Sequence, residues 1–118
     1  MSDIGKEKDM AENDAAQINE AYDSMAQAQK VLYLHTEAAI NAKADVDTKL
    51  LKGLADGSIE GKNQAMRDAC AAEVLEKEYR SLDIAEADAR AARLEYDLAK
   101  TEVSRVQALL RLRELSSD

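Results

Sequence analysis

Two runs of this chain repeat an apolar residue every seven positions, and no other feature restricts its fold so tightly. In the first run Ile18, Met25, Leu32, Ala39 and Val46 keep that spacing, with Ala21, Ala28, His35 and Ala42 three residues after. In the second, Leu75, Leu82, Ala89, Tyr96, Val103 and Leu110 do the same, and Ala85, Ala92, Ala99 and Val106 follow three residues after the same frame. Steps of three and four that add to seven draw one apolar seam along a helix, shaped to pack on a second helix. Tyr22, Leu50, Leu51 and Leu54 widen the first seam towards the middle of the chain.

The residues between the seams favour the same state. The 118 residues include no proline, and aromatic residues, all tyrosine, are 3%. Apolar residues still reach 46% and charged ones 34%, mostly alanine, leucine, glutamate, lysine and arginine. These are strong helix formers, whereas strands favour β-branched and aromatic side chains. The composition predicts an all-α single domain built on coiled-coil contacts.

Three of the four glycines, Gly53, Gly57 and Gly61, cluster near the middle of the chain, where the two runs meet. The pattern predicts a polar, flexible segment over 1–10 and a single helical hairpin domain over 11–118. Within it we expect a first helix over about 11–55, a turn over about 56–62 and a second helix over about 63–115. Gly57 suits the left-handed residue that closes a helix. Ile59 is placed to plug the end of the hairpin. Asn63 is a candidate N-cap, with Gly61 easing the approach. A short link between comparable helices makes them antiparallel. Charge agrees, since residues 1–29 carry seven acids against Lys6 and Lys8, while residues 100–113 carry Lys100, Arg105, Arg111 and Arg113 against Glu102.

A hairpin uses one seam, yet the second run carries more apolar residues than that. Ile84, Ala91, Leu98 and Leu112 share a spacing of seven or fourteen, Arg105 fills the gap, and Ala87, Leu94 and Leu115 lie beside them. The second helix is then apolar over roughly half its circumference. Such a face exceeds what a soluble monomer usually exposes. It predicts a homo-oligomer, either a dimer of hairpins forming a helical bundle or a larger ring, through Ile84, Ala91, Leu94, Leu98 and Leu112. The plainer alternative is a monomer whose N-terminal segment folds back over the face. Surface pairs Glu73–Lys77, Glu76–Arg80 and Glu86–Arg90 have the helix-supporting i,i+4 order.

Candidate chemistry is sparse. "GSIEGK" has glycines and a lysine but lacks the spacing of a phosphate-binding loop, and no strand precedes it. His35 falls on the apolar side of the first helix and reads as a structural residue. Leucine, not glutamate, precedes it at position 32, so the di-iron E-x-x-H pattern is missing. Cys70 has no second cysteine to bond with. Asp83, Glu86 and Asp88 read as a solvated face. We therefore expect no catalytic, metal or cofactor residues, and no enzyme. Tyr33 lies off the main seam and suits a contact with a partner or another copy. A net charge of −8 disfavours nucleic-acid phosphates and anionic membranes. No apolar stretch is long enough to span a bilayer, and the acidic start does not resemble a secretion signal, so a cytoplasmic protein is expected.

The stretch "LADGSIEGKNQAMRDA" resembles a turn found among small phage and prophage helical-hairpin proteins, an acidic-Gly turn followed by Gly-Lys-Asn and an arginine. Here the matching residues are Asp56, Gly57, Gly61, Lys62, Asn63 and Arg67. The resemblance covers 16 of the 118 residues. It implies a viral or mobile-element origin, hence a host-cytoplasm location, and supplies no active site. Secreted helical-hairpin effectors share the architecture, but their Trp-x-Gly turn has no counterpart here. The expected function is a non-catalytic protein-interaction module: an acidic helical oligomer that binds or inhibits a host or phage protein, in one version by mimicking nucleic-acid charge. The alternatives are an accessory factor in phage DNA metabolism, using the basic C-terminal end, and a secreted effector.

Overall fold

The computed structural model describes residues 2–116, with side chains from residue 5 onward. Its fold is all-α, an antiparallel helical hairpin. Helix α1 spans Ser2–Asp56, α2 spans Gln64–Val74 and α3 spans Glu76–Ser116.

Two boundaries differ from the sequence expectation. Helix α1 begins at Ser2, so residues 2–10 are helical where a flexible segment was expected. An established helix gains a hydrogen bond for each residue added, and the weakest helix former there, Gly5, opposes this by only about 1 kcal/mol. Residue 1 of that expected segment, and residues 117–118 of the expected domain, lie outside the described residues. The second helix is parted at Leu75, whose φ of −105° and ψ of 25° leave the helical region. The ladder nonetheless continues, with Leu75 N–H donating to the Ala71 carbonyl at 2.8 Å and Tyr79 N–H to the Leu75 carbonyl at 2.9 Å.

The chain forms two units. In the terminal unit, residues up to Leu32 pair with those from Ala92 onward. Its core is Ala21, Val103 and Val106, with Ile18, Met25 and Leu110 packed against them. Alanine on the α1 side keeps this core thin. Two polar contacts fix the antiparallel register: Arg113 donates to Asp14, and Gln107 Nε2 donates to the Tyr22 hydroxyl at 2.6 Å. These contacts join the acidic start of the chain to its basic end.

The turn unit spans Tyr33–Ala91. Its core is Ile59, Ala71 and Leu75, with Leu50, Cys70 and Tyr79 against them. Val46 and Leu82 are also buried. Lys49 bridges to Glu78 across the pair at 3.1 Å. Of the three surface pairs expected on the second run, Glu76–Arg80 closes at 2.6 Å; the other two do not close among the described residues.

Candidate interaction surface

The turn is built from its smallest residues. Asp56 ends α1, and Gly57 follows with φ +83°, the left-handed region where a side chain strains the backbone. The Asp56 carboxylate then accepts from Ser58 twice, from its hydroxyl at 2.7 Å and its N–H at 2.9 Å. These two hydrogen bonds, the hydroxyl's first, hold the Asp56 carboxyl below the usual carboxylate range. Ile59 turns inward and is 2% exposed, while its N–H donates to the Gly53 carbonyl at 3.0 Å. On the far side Asn63 caps α2, its side chain accepting from Met66 N–H at 2.9 Å.

Gly53 is the residue that sequence reasoning left without a role. A Cβ there would stand 2.5 Å from Ile59 Cδ1. The signal was available, because Gly53 is one heptad beyond Val46, at a position that otherwise carries an apolar side chain. The absent side chain is the socket for Ile59. Gly61 is equally constrained: a Cβ would lie 2.7 Å from Arg67 N and 2.8 Å from the Met66 carbonyl carbon, both backbone atoms. The Arg67 guanidinium returns to the Gly61 carbonyl at 3.3 Å. Cys70 is half-buried beside this turn, its thiol 3.7 Å from the Ser58 carbonyl oxygen.

The inside of the turn is closed packing around Ile59, while Leu54 and Met66 beside it stay exposed. The outer faces of the helices are different. On α3 in the terminal unit, Leu94, Leu98 and Leu112 are 59%, 55% and 60% exposed. At about 100° per residue Leu98 points some 160° away from Tyr96 of the inner seam. The sequence pattern suggested one broad apolar half of the helix. The structure instead gives α3 two apolar faces on nearly opposite sides, one on α1 and one in solvent. Arg105 interrupts the outer face and is held by Glu102 through hydrogen bonds of 2.8 and 2.5 Å, which lower the Glu102 pKa and raise that of Arg105. In the turn unit, Ile84 and Ala91 are likewise exposed.

Tyr33 is exposed, and it does not stand alone. Ile40 and Leu54 follow it on α1 at multiples of seven and are exposed as well. The spacing that reveals this second row is the same one that reveals the core; the widening of the first seam towards Leu51 and Leu54 concealed it. Tyr22, by contrast, has its hydroxyl engaged by Gln107. Tyr96 is half-buried under Lys100, whose ammonium lies 5.4 Å from the ring centre. His35 is half-buried on the inner side of α1, and Asp83, Glu86 and Asp88 are exposed.

Among the described residues no group of three or more histidine, cysteine, aspartate or glutamate side chains is arranged to hold a metal ion. No described helix is long and apolar enough to cross a membrane. No family model, curated protein or solved structure matches the chain.

Proposed function

We propose that this chain is a non-catalytic interaction module, an acidic helical homo-oligomer that occupies a surface of a host or phage protein. One observation carries the reading. Among the described residues, fifteen large apolar side chains are exposed while nine apolar residues form the buried core. A chain that keeps most of its leucine in solvent has its main apolar burial still to make, against another chain. The faces that remain, Leu94, Leu98 and Leu112 on α3 and Tyr33 with Ile40 on α1, lie on helices and are more than half exposed. The net charge of −8 adds a surface suited to basic partners, including proteins that otherwise hold nucleic acid. The phage-like turn, Asp56 to Arg67, supports a mobile-element origin. A role on nucleic acid through the basic C-terminal end is less well supported, because Arg105 and Arg113 are engaged by Glu102 and Asp14.

The test is sedimentation of the wild type and Leu98→Glu at matched concentration. The wild type is expected to be oligomeric and the variant smaller while still helical, since burying an unpaired carboxylate costs several kcal/mol. A wild type that remains monomeric at high concentration removes the oligomer from the reading. Capture of a host protein that survives nuclease treatment supports the partner arm; co-purifying nucleic acid in its place overturns it.

A further inference from the structure

We infer that the outer face of α3 in the terminal unit is a two-fold interface with a second copy of this chain, the two α3 helices lying antiparallel and crossing at Ser104. The inference rests on the oligomer reading above and adds the occupant, the direction and the register. The argument starts from the charges that border the apolar row. Asp97, Ser104 and Arg111 follow one another at intervals of seven along one edge of it. Their order, negative, neutral, positive, is complementary to its own reverse. Antiparallel alignment about Ser104 therefore sets Asp97 beside the partner's Arg111, and Arg111 beside the partner's Asp97.

In the same register the apolar row reverses about residue 103, because the core pairs of an antiparallel helix contact are offset from the pairs on its edge. Leu94 meets the partner's Leu112, Leu98 meets the partner's Ala108, and Thr101 meets the partner's Arg105. Leucine faces leucine at both ends, alanine makes room for leucine between, and the polar residues coincide at the centre. Other arrangements do worse. A parallel pair stacks Arg105 on the partner's Arg105 and brings Asp97 towards the partner's Glu102. Sliding the antiparallel pair by one heptad sets Arg105 against Leu94 in one direction and in the other moves Arg111 from the partner's Asp97 to the partner's Ser104. Like charges facing each other across helices are unfavourable, and buried guanidinium on leucine more so.

Two features of the isolated chain fit. Asp97 is half-exposed, and its contact with Arg93, at 3.4 Å, is loose enough to admit a second cation. Glu102 comes near its own copy at the centre, and each Glu102 is already neutralised by its own Arg105. A central polar residue within an apolar helix contact is also the kind of feature that selects one register over others.

Charge exchange tests this without knowledge of any further partner. Asp97→Arg and Arg111→Asp, each alone, place like charges together twice per dimer and should weaken self-association about tenfold. The double variant restores opposite pairs and should recover most of the wild-type affinity by sedimentation equilibrium. Circular dichroism should show all three to be helical. Independently, Ser104→Cys in a Cys70→Ala background should form a disulfide dimer on mild oxidation, because the two positions 104 meet at the axis. If the wild type is monomeric, both the oligomer and this interface are overturned. If the wild type self-associates but the double variant does not recover and position 104 does not cross-link, the oligomer stands and this register is wrong.

Discussion

The turn unit and the terminal unit are both helix pairs, yet they are held by different means. In the turn unit one residue, Ile59, enters a socket left by Gly53 and touches both sides of the pair, while Gly57, Gly61 and Asn63 shape the backbone around it. In the terminal unit no loop contributes, and the core is a row of small and medium side chains in which Val106 is the most buried. The first is a local plug with exacting geometry. The second is a thin seam with a second apolar face left on the outside of α3. The inner packing is thus anchored by one side chain at the turn and spread along a thin row at the other end, while both units keep apolar side chains outside, Tyr33, Ile40 and Ile84 in one and Leu94, Leu98 and Leu112 in the other.

The largest effect should come from emptying the plug. Ile59→Ala is expected to destabilise the protein by about 3–4 kcal/mol, against roughly 2 kcal/mol for Val106→Ala, both read by denaturant unfolding. If the valine variant loses more, the ranking of the two regions is reversed. Next, Gly57→Val forces a β-branched residue to positive φ and should cost about 1–3 kcal/mol although nothing crowds the site. An unchanged melting temperature would mean that the left-handed residue is not what closes α1. Asn63→Ala removes the side-chain acceptor for Met66 N–H and should cost about 1 kcal/mol, with amide exchange rising in the first turn of α2. No local change in exchange would argue that water replaces the cap without loss.

The smallest effect is acid-dependent. The Asp56 carboxyl has a lowered pKa in the folded state through its hydrogen bonds from Ser58. A lowered carboxylate pKa means that the contribution is fully present above the ordinary value of about 4 and fades as pH falls through the folded value. Asp56→Asn should therefore reduce the difference in melting temperature between neutral and acidic solution by a small amount, since the group is solvent-exposed. Parallel pH profiles for wild type and variant would dismiss Asp56 as a contributor to the cap.

Much of this was readable before the structure. The inner seam is legible because a heptad repeat encodes which side of a helix meets its neighbour: Ala21, Val46, Leu75, Leu82, Ala92, Val103 and Val106 all lie on it and are all buried. Asn63 was legible because capping is a contact between a residue and an amide three positions on. Gly53 was legible only in part: its place one heptad beyond Val46 marks it as inner, but a glycine carries no sign of which side chain will fill its space, and Ile59 comes from a turn whose path the pattern does not describe. Helix α1 continues to Ser2 because polarity alone does not end a helix, and the local sequence there contains no residue that does.

The two helical runs, the residues that face each other along them and the place where the chain reverses are all written in the order of residues, because each depends on spacing within a few residues. Packing in three dimensions is what holds Gly53 and Gly61 as glycine against close neighbours and leaves the outer leucines of α3 opposite its seam and in solvent. Those properties depend on where atoms distant in sequence come to rest. Spacing along one helix says which residues share a face; what lies against that face is settled only when the other helix and the turn have taken their places.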